Sequence, residues 1–233
     1  MRKLAVVLAL ASTALSTPAF ARDDSWYVGV EGGAMLVEDI DFDITTAANV
    51  TSANAGTVDH DYGYDVDGIV GYDFGAFRVE AEVAYKHARV DEYRSAVTTP
   101  FLNAANAVAN APAGLYDYAG GKTTALSFML NAMLDFGDDD TVSGFVGGGA
   151  GVARVKQETA LNTRGAFIDD SDTVFAWQGI AGIRAPLSDN IDVSVKYRFF
   201  NADDVRLVDI TGRTHDGRFR SHSLLGGVTF NFV

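Results

Sequence analysis

The residues most suggestive of chemistry lie near the end of the chain, where His222 is flanked by Ser221 and Ser223. A nucleophile and its base must lie on a common face, and a third group must orient the base. Consecutive residues of a strand point to opposite faces. Because this segment is predicted to be a strand, His222 cannot pair directly with Ser223. The triplet therefore predicts no catalytic site and no enzyme.

The other histidines, His60, His87 and His215, lie in or near long polar stretches and are far apart in sequence. A metal site built from them would need several loops to converge. We therefore predict solvated loop histidines, with no metal site and no cofactor.

Three acidic clusters offer oxygen ligands for a divalent cation. None of them has the twelve-residue spacing and central glycine of an EF-hand loop, so solvated acidic loops are expected. The clusters are Glu38, Asp39, Asp41 and Asp43; Asp138, Asp139 and Asp140; and Asp169, Asp170 and Asp172. The glycine-rich segment 144–153 lacks the Lys-Ser/Thr pair and the following helix of a phosphate-binding loop.

The start of the chain has the layout of a secretory signal peptide. A basic start precedes an apolar stretch over residues 4–15, and Ala19 and Ala21 supply small residues for cleavage. The apolar stretch is too short to span a membrane as a helix. We therefore predict that residues 1–21 are removed and that residues 22–233 form one barrel domain.

Composition limits both the partners and the fold. The net charge is −13, and it becomes −15 when the signal takes away two basic residues, Arg2 and Lys3. Nucleic acid is therefore excluded as a partner, because phosphate binding requires a basic patch. The chain has no cysteine for disulfides or thiolate metal sites. No other stretch reaches 18 consecutive apolar residues, so a membrane could be crossed only as a barrel.

Apolar and polar residues alternate along much of the mature chain, which is typical of strands with one apolar face. In the segment 77–87, Phe77 and Val79 share one face, while Arg78 and Glu80 share the other. The same test gives eight predicted strands, at 26–35, 64–74, 77–87, 124–136, 142–155, 173–185, 191–200 and 223–233.

The connections between these strands alternate strictly between long and short. Short turns lie at 75–76, 137–140 and 187–190, and long stretches lie at 37–62, 87–122, 157–172 and 201–219. Up-and-down membrane barrels sort their connections in this way. The predicted fold is all-β: an eight-stranded antiparallel up-and-down transmembrane β-barrel with three short periplasmic turns and four long extracellular loops. The low-complexity segment Phe101–Gly114 is expected to be a mobile loop or a short helix.

Alternation alone does not say which face looks outward, since a soluble ligand-binding barrel has the same pattern. Aromatic residues indicate the answer, because they collect at both ends of the predicted strands, as the two bilayer interfaces require. Trp26, Tyr27, Phe74, Phe77, Phe136, Phe230 and Phe232 lie near short turns or chain ends, and Tyr64, Tyr85, Phe175 and Trp177 lie near long loops. The apolar face is therefore predicted to contact lipid.

Three segments resemble the OmpA-type family of eight-stranded outer-membrane barrels, which includes opacity and surface-antigen-like proteins. "DDSWYVGVEGGAML" is similar to the first strand, "FAWQGIAGIRAPLSDNIDVSVKYRFF" to the sixth and seventh strands with their turn, and "SHSLLGGVTFNF" to the closing strand. The resemblance implies a Gram-negative outer-membrane protein inserted by the barrel assembly machinery. It departs from full-length members in two ways: Val233 follows the usual terminal Phe, and there is no peptidoglycan-binding domain.

The resemblance also implies contact with outer-membrane lipid and lipopolysaccharide, to whose phosphates divalent ions could bridge the acidic loops. Host or surface ligands would meet the extracellular loops. Three functions stay open: a structural, surface-exposed adhesin or antigen; a small or gated pore; and a lipid A-modifying enzyme. Side chains fill the interior of an eight-stranded barrel and hinder the diffusion of solutes. This favours the structural, surface-exposed function over a pore.

An apolar exterior places charged side chains in the lumen. Buried charges persist only when they are paired, so we predict salt bridges that plug the interior. The expected network comprises Arg78, Glu80, Glu82, Arg184, Lys196 and Arg198. In it, Glu80 and Glu82 are predicted to pair with Arg184, Lys196 and Arg198. Asp65, Asp67, Asp73, Asp135 and Asp192 face the same way, although the last three lie next to turns and could be solvated at the rims.

The closing strand is predicted to present a lipid-facing row of apolar residues, which the family resemblance identifies as the signal read during insertion. The row consists of Leu224, Val228, Phe230 and Phe232.

Overall fold

A computed structural model of the chain describes residues 24–117, 119–137, 141–161 and 164–232. The predicted signal peptide with Ala19 and Ala21, the aspartates 138–140 and Val233 lie outside the described residues. Within the described part of the chain, no helix is long and apolar enough to cross a membrane.

The described residues form antiparallel strands along almost their whole length. The strands are β1 (Ser25–Val37), β2 (Ile40–Thr45), β3 (Thr51–His60), β4 (Gly63–Asp73), β5 (Phe77–Ser95), β6 (Thr99–Leu102), β7 (Val108–Ala111), β8 (Gly114–Tyr116), β9 (Gly120–Phe136), β10 (Ser143–Leu161), β11 (Gly165–Ser188), β12 (Ile191–Val208) and β13 (Thr214–Phe232).

Eight of these strands close a ring in the order β1, β4, β5, β9, β10, β11, β12 and β13. The ring closes where β13 pairs with β1, in register from Trp26 opposite Phe232 to Val37 opposite Ser221. A closed ring satisfies the backbone groups of every strand, which a membrane interior requires. The eight-stranded up-and-down barrel predicted from the sequence is confirmed.

The strands are longer than the alternation predicted, and the four long stretches contain much regular structure. β10 and β11 continue together for 19 and 24 residues. The low-complexity segment forms a hairpin of β6 and β7, so the suggestion of a short helix was wrong. Its Asn106 adopts a positive φ of 54° at the hairpin turn, a conformation that asparagine tolerates.

We call residues 25–37, 63–87, 124–152, 175–199 and 221–232 the lower barrel. Its outward face is apolar, and exposed aromatic residues mark both ends, as predicted. Trp26, Phe74, Phe77, Phe136, Phe230 and Phe232 lie at the short-turn end, and Tyr64, Tyr85, Phe175 and Trp177 lie at the other. Tyr27 was wrongly assigned to this girdle. It is 1% exposed and points into the lumen, where its hydroxyl donates to Glu80.

We call residues 38–62, 88–123, 153–174 and 200–220 the crown. Here β2 and β3 occupy the gap between β13 and β5 that β1 and β4 fill below. β2 pairs with β13 and β3 pairs with β5. The barrel wall therefore continues as regular β-sheet beyond the lipid-facing band instead of ending in irregular loops.

The crown has an apolar interior, which is the reverse of the lower barrel. In β5, Val83 and Tyr85 face outward, whereas Ala88 and Val90 are buried inside. Phe167 packs against Tyr93 with ring centroids 4.8 Å apart. Further members of this core include Phe42, Val58, Phe101, Tyr116, Val155, Leu161, Phe200, Val205, Leu207 and Phe219.

Candidate functional site

The lumen of the lower barrel is organised around Arg198, which is fully buried. Its guanidinium lies 3.0 Å from Asp65, 2.6 Å from Asp67 and 3.0 Å from Glu82. β12 carries this arginine, β4 carries the two aspartates and β5 carries the glutamate, so the contacts cross the full width of the barrel. One side chain thus ties together three carboxylates from two strands.

Further ion pairs lie above and below Arg198. Lys196 pairs with Glu31, and Lys86 lies 3.5 Å from Asp65. Arg184 contacts Asp73 at 3.1 Å. Nearer the periplasmic end, Arg78 donates to Asp135 at 2.7 Å and lies 5.0 Å from the centroid of Phe145.

Carboxylates outnumber cations in this lumen, and neutral side chains supply further donors. Glu82 accepts hydrogen bonds from Asn131 at 2.9 Å and from Gln178 at 3.1 Å. Ser223 donates to Asp65 at 2.8 Å. These bonds matter because a buried carboxylate without donors is strongly destabilising.

Small residues make room for the crossing side chains. A Cβ atom on Gly149 would collide with the amide oxygen of Asn131, and one on Gly71 would collide with the Tyr27 ring. The glycine-rich segment of β10 therefore serves close packing in the lumen.

The structure brings together only part of the predicted network. Glu82 meets Arg198, but Glu80 binds Tyr27 and lies 3.9 Å from Arg78 instead of meeting the cations of β11 and β12. Glu31 and Lys86 were not assigned to the network. Both residues alternate with lipid-facing neighbours along their strands, and this pattern could have assigned them to the lumen.

The three aspartates beside turns are not solvated at the rims. Asp73 and Asp192 are buried, and the side chain of Asp135 is 6% exposed. Asp192 accepts a hydrogen bond from Asn231 at 2.9 Å. Proximity to a turn was a poor guide because the lumen side chains extend to the periplasmic end.

A small cavity interrupts the packing of the described lumen side chains. A cavity of about 10 Å³ lies among Glu31, Arg78, Arg184 and Lys196, which is room for about one water molecule. Above it, the ammonium of Lys86 lies 4.2 Å from the Phe200 ring centroid, where the polar lumen meets the apolar crown core.

The apolar row of the closing strand faces outward. Leu224, Val228, Phe230 and Phe232 are all exposed on the lipid-facing side. β13 is held on both edges, because it pairs with β12 as well as with β1.

The crown carries a surface cleft of about 820 Å³. It lies on the outer side of β2, β12 and β13, and its walls combine carboxylates with arginines. Arg206 contacts Asp216 at 2.8 Å, and Arg220 lies 3.7 Å from Glu38. The lining residues are Glu38, Asp39, Asp41, Asp43, Asn54, Asp203, Asp204, Arg206, Asp216, Gly217, Arg218 and Arg220.

Some acidic loop residues have structural partners. Asp170 accepts the backbone N–H of Val208 at 2.9 Å, and Asp172 accepts that of Arg206 at 2.9 Å. These carboxylates join β11 to β12 where the regular backbone pairing between the two strands has ended. Among the described residues, no group of three or more His, Asp or Glu side chains is arranged to hold a metal ion.

Two histidines contradict the expectation of solvated loop residues. His215 is completely buried and lies 3.1 Å from Asp209. His60 contacts Thr123 at 2.7 Å, and burial lowers the pKa of His60 to about 4. The third, His87, stacks on Tyr64 with ring centroids 5.1 Å apart.

The Ser221–Ser223 triplet has the predicted geometry. Ser221 and Ser223 are buried on the inside, while His222 contacts Tyr197 at 2.8 Å and Glu38 at 2.9 Å on the outside.

The chain matches a known protein family and is similar to named relatives. The family described as "Outer membrane protein beta-barrel domain" matches residues 7–232. "Putative adhesin RP828" of Rickettsia prowazekii is 24% identical over 238 residues, covering 99% of both chains. A "Putative adhesin" of Rickettsia massiliae is 23% identical over 242 residues, covering 99% of this chain and all of the relative.

Solved structures with a similar fold include the outer membrane protein OprG from Pseudomonas aeruginosa, with a TM-score of 0.57 and 12% identity. The match covers 89% of this chain and 97% of OprG. Neisserial surface protein A matches with a TM-score of 0.49 and 16% identity, over 89% of this chain and 97% of that protein.

Proposed function

The chain belongs to the outer membrane protein β-barrel domain family, and from that premise we propose that it is a non-enzymatic, adhesin-like barrel whose crown binds ligands at the cell surface. The protein is an integral outer-membrane protein of a Gram-negative bacterium, and its lower barrel contacts lipid. The lower barrel with its sealed lumen serves as a scaffold, and the crown is the ligand-binding region.

The observation that carries this proposal is the apolar core inside the crown. Phe42, Tyr93, Phe167 and Phe219 are buried there, well beyond the aromatic end of the lipid-facing band. A barrel that only filled the membrane would not need a second, apolar core. Loops held on a rigid scaffold are common binding sites, and this crown supplies such a scaffold outside the cell.

The rickettsial relatives support a role in adhesion. Their names describe adhesins, and the similarity extends over almost the full length of both chains. It therefore includes the segments that form the crown as well as those that form the lower barrel.

A pore is the second candidate function, and the packing of the lumen opposes it. Arg198 and its three carboxylates cross the interior, and the apolar crown core lies above them. We therefore infer that the network of Arg78, Glu80, Glu82, Arg184, Lys196 and Arg198 acts as a plug.

A lipid-modifying enzyme is the third candidate. His222 lies on the opposite side of the barrel wall from the hydroxyls of Ser221 and Ser223. This geometry supports a non-enzymatic role, because a nucleophile must contact its base.

Adhesion can be tested by displaying the full-length protein in a non-adherent Gram-negative host. Bacteria retained on cultured host cells would be counted for the wild type and for a variant with Val50, Val108 and Leu115 changed to Ser. These apolar residues are exposed in the crown. Val142→Ser is the matched control, since Val142 is exposed near the periplasmic end.

We expect the wild type to increase retention, the triple variant to lose most of the increase, and the control to keep it. Heat-modifiable gel mobility would verify that every variant is folded. Retention no higher than that of cells with an empty vector would contradict the proposed function.

A further inference from the structure

The hairpin of β6 and β7 lies across the outer mouth of the barrel. At its base, the guanidinium of Arg213, in the connection between β12 and β13, donates to the Thr98 carbonyl at 2.8 Å. Farther along, the Leu102 carbonyl lies so close to Gly165 at the start of β11 that a Cβ atom there would collide with it. Phe101, between these two contacts, is buried in the crown core. The hairpin is therefore held by connections at the outer end of the crown.

One edge of this hairpin is free for further strand pairing. Among the described residues, β7 pairs with β6 and with no other strand. The Asn103 N–H donates to the Ala107 carbonyl at 3.0 Å, which fixes the pairs of the hairpin that exchange hydrogen bonds. Because such pairs alternate in an antiparallel ladder, the backbone groups of Ala109 point toward β6. Those of Val108 and Asn110 point away from it and lie along the outer edge of β7.

The free edge lacks the features that usually prevent edge-to-edge pairing. Natural edge strands are protected by charged residues, proline or bulges. β7 has the sequence Val-Ala-Asn-Ala and contains none of these. The proline of the hairpin, Pro100, lies in β6 opposite Asn110. Val108 is 54% exposed and Asn110 is also exposed, so the edge is accessible to a partner.

The segment that contains the free edge is electrically neutral. Residues 95–116 include no charged side chain, whereas 21% of the whole chain is charged and its net charge is −13. Copies of such an acidic protein repel one another through most of their surface. Two copies therefore approach with the least electrostatic cost where their neutral segments meet. This favours a second copy of the chain as the occupant of the edge.

We propose that β7 pairs antiparallel with β7 of a second copy on a facing membrane. Pairing centred on Ala109 places Val108 of each copy opposite Asn110 of the other, so that all the outward backbone groups of both residues are bonded. Pairing centred on Asn110 would instead place Pro112, which has no N–H, opposite Val108.

The place of the hairpin over the mouth of the barrel directs this contact away from the membrane that holds the protein. The paired segment is only four residues long, so one contact is weak and many copies must act together. Contact between copies does not depend on ligand binding by the crown.

The first test measures the clustering of phosphatidylcholine vesicles that carry the refolded full-length protein. Reconstitution by detergent removal inserts barrels in both orientations, so crowns are present on the outer surface. Asn110→Pro removes an outward N–H from each copy, and light scattering should show clustering about tenfold weaker than for the wild type.

Ala104→Pro is the matched control. Ala104 is the first central residue of the hairpin turn, which the hydrogen bond from the Asn106 N–H to the Asn103 carbonyl closes, and proline is favoured at this position. This variant should cluster like the wild type. Equal losses in the two proline variants, or a wild type that does not cluster, would overturn the proposal.

A second test checks the register of the pairing. The chain has no cysteine, so Val108→Cys and Asn110→Cys each introduce a single thiol. The proposed pairing brings these two positions of different copies to about 5.5 Å between Cα atoms, within the range of a disulfide. Vesicles carrying one variant, mixed with vesicles carrying the other and treated with copper phenanthroline as the oxidant, should yield disulfide-linked heterodimers. Either variant alone should yield few linked dimers.

The cross-linking results also locate the contact. Heterodimers that form only when both variants share one vesicle would place the contact within a single membrane and overturn the assignment to facing membranes. Linked dimers that form equally well from either variant alone would overturn the register and the edge pairing with it. Heterodimers between separate vesicles, formed in preference to homodimers, would support the proposal.

Discussion

The lower barrel and the crown are built from the same strands but filled in opposite ways. β13 passes through both regions. In the lower barrel, Leu224 and Val228 face outward and Ser223 is buried; in the crown, Phe219 is buried and Arg218 is exposed. The alternation continues without interruption, and only its polarity reverses.

The surroundings of each region explain the reversal. Lipid contacts the lower barrel, so apolar side chains must lie outside and the polar ones are confined to the lumen. Water contacts the crown, so apolar side chains gain most by moving inside. The medium that contacts the outside of the barrel therefore determines which side chains fill its interior.

Substitutions should therefore destabilise the two interiors by different mechanisms. The lumen depends on charge pairing, and removal of one partner leaves a buried charge uncompensated. The crown depends on packing, and a smaller side chain leaves a cavity. Substitutions in each region can test whether this distinction is correct.

The largest effect is expected on the outer surface of β13. Phe230→Asp with Phe232→Asp should abolish accumulation of folded protein in the outer membrane, because charge on the lipid-facing side is costly. Immunoblots of unboiled outer-membrane fractions would measure this. Arg218→Asp, which places the same charge on the outside of the crown, should accumulate normally. Normal accumulation of the double variant would indicate that this surface does not meet lipid.

The next effect concerns the centre of the lumen. Arg198→Ala leaves Asp65, Asp67 and Glu82 without their shared partner and should cost about 4 kcal/mol of unfolding free energy. Urea unfolding in lipid vesicles measures this loss, and Arg218→Ala in the crown is the control. With Glu82→Ala added, the combined loss should be smaller than the sum of the single losses. Additive losses, with no change in conductance, would exclude a coupled plug.

A smaller effect is expected from a cavity in the crown. Phe167→Ala should cost about 3 kcal/mol, because the Phe167 ring is fully buried against Tyr93. Amide hydrogen exchange should show faster exchange in the crown and unchanged protection in the lower barrel. Val108→Ala is the control, since Val108 is an exposed apolar residue of the crown. Equal loss of protection in both regions would show that they are one cooperative unit.

The smallest effect depends on pH. Burial alone would raise the pKa of Asp209, but hydrogen bonds from His215, Arg213 and Thr211 outweigh it and hold the pKa below its usual range. The depressed pKa gives stability that is present above about pH 4 and is lost as the pH falls through the folded-state pKa. Asp209→Asn should therefore cost about 2 kcal/mol at pH 7.

Urea unfolding at pH 7 and at low pH would measure this difference. The penalty of Asp209→Asn should shrink as the pH falls, because the wild-type carboxyl then becomes protonated. Asp204→Asn, at an exposed position in the crown, should have little effect at either pH. A penalty that is the same at both values would rule out the charge of Asp209 as its source.

The sequence predicted the lower barrel well because lipid forces a regular pattern onto it. Alternation around Phe77 and Val79 is directly readable, and the order of strands follows from the up-and-down topology. The ion-pair partners were not readable, because they depend on the stagger between strands. Glu80 therefore met Tyr27 instead of the cations of β11 and β12.

The crown was missed for a different physical reason. Ile40, Phe42 and Ile44 alternate with acidic residues, which is the signal of a strand, but they lie in a stretch rich in loop residues. The inward apolar residues Ala88 and Val90 also continue the alternation of β5 with reversed polarity. A search for such reversals would have located the end of the lipid-facing band and the start of the crown core.

We infer that the barrel is sealed twice, by paired charges in the lumen and by apolar packing in the crown. Single-channel recording of the refolded wild-type protein in planar bilayers tests it most directly, with a water-filled porin as the positive control. We predict no stable conductance steps at neutral pH. Persistent, uniform conductance steps from the wild-type protein would contradict the sealed barrel.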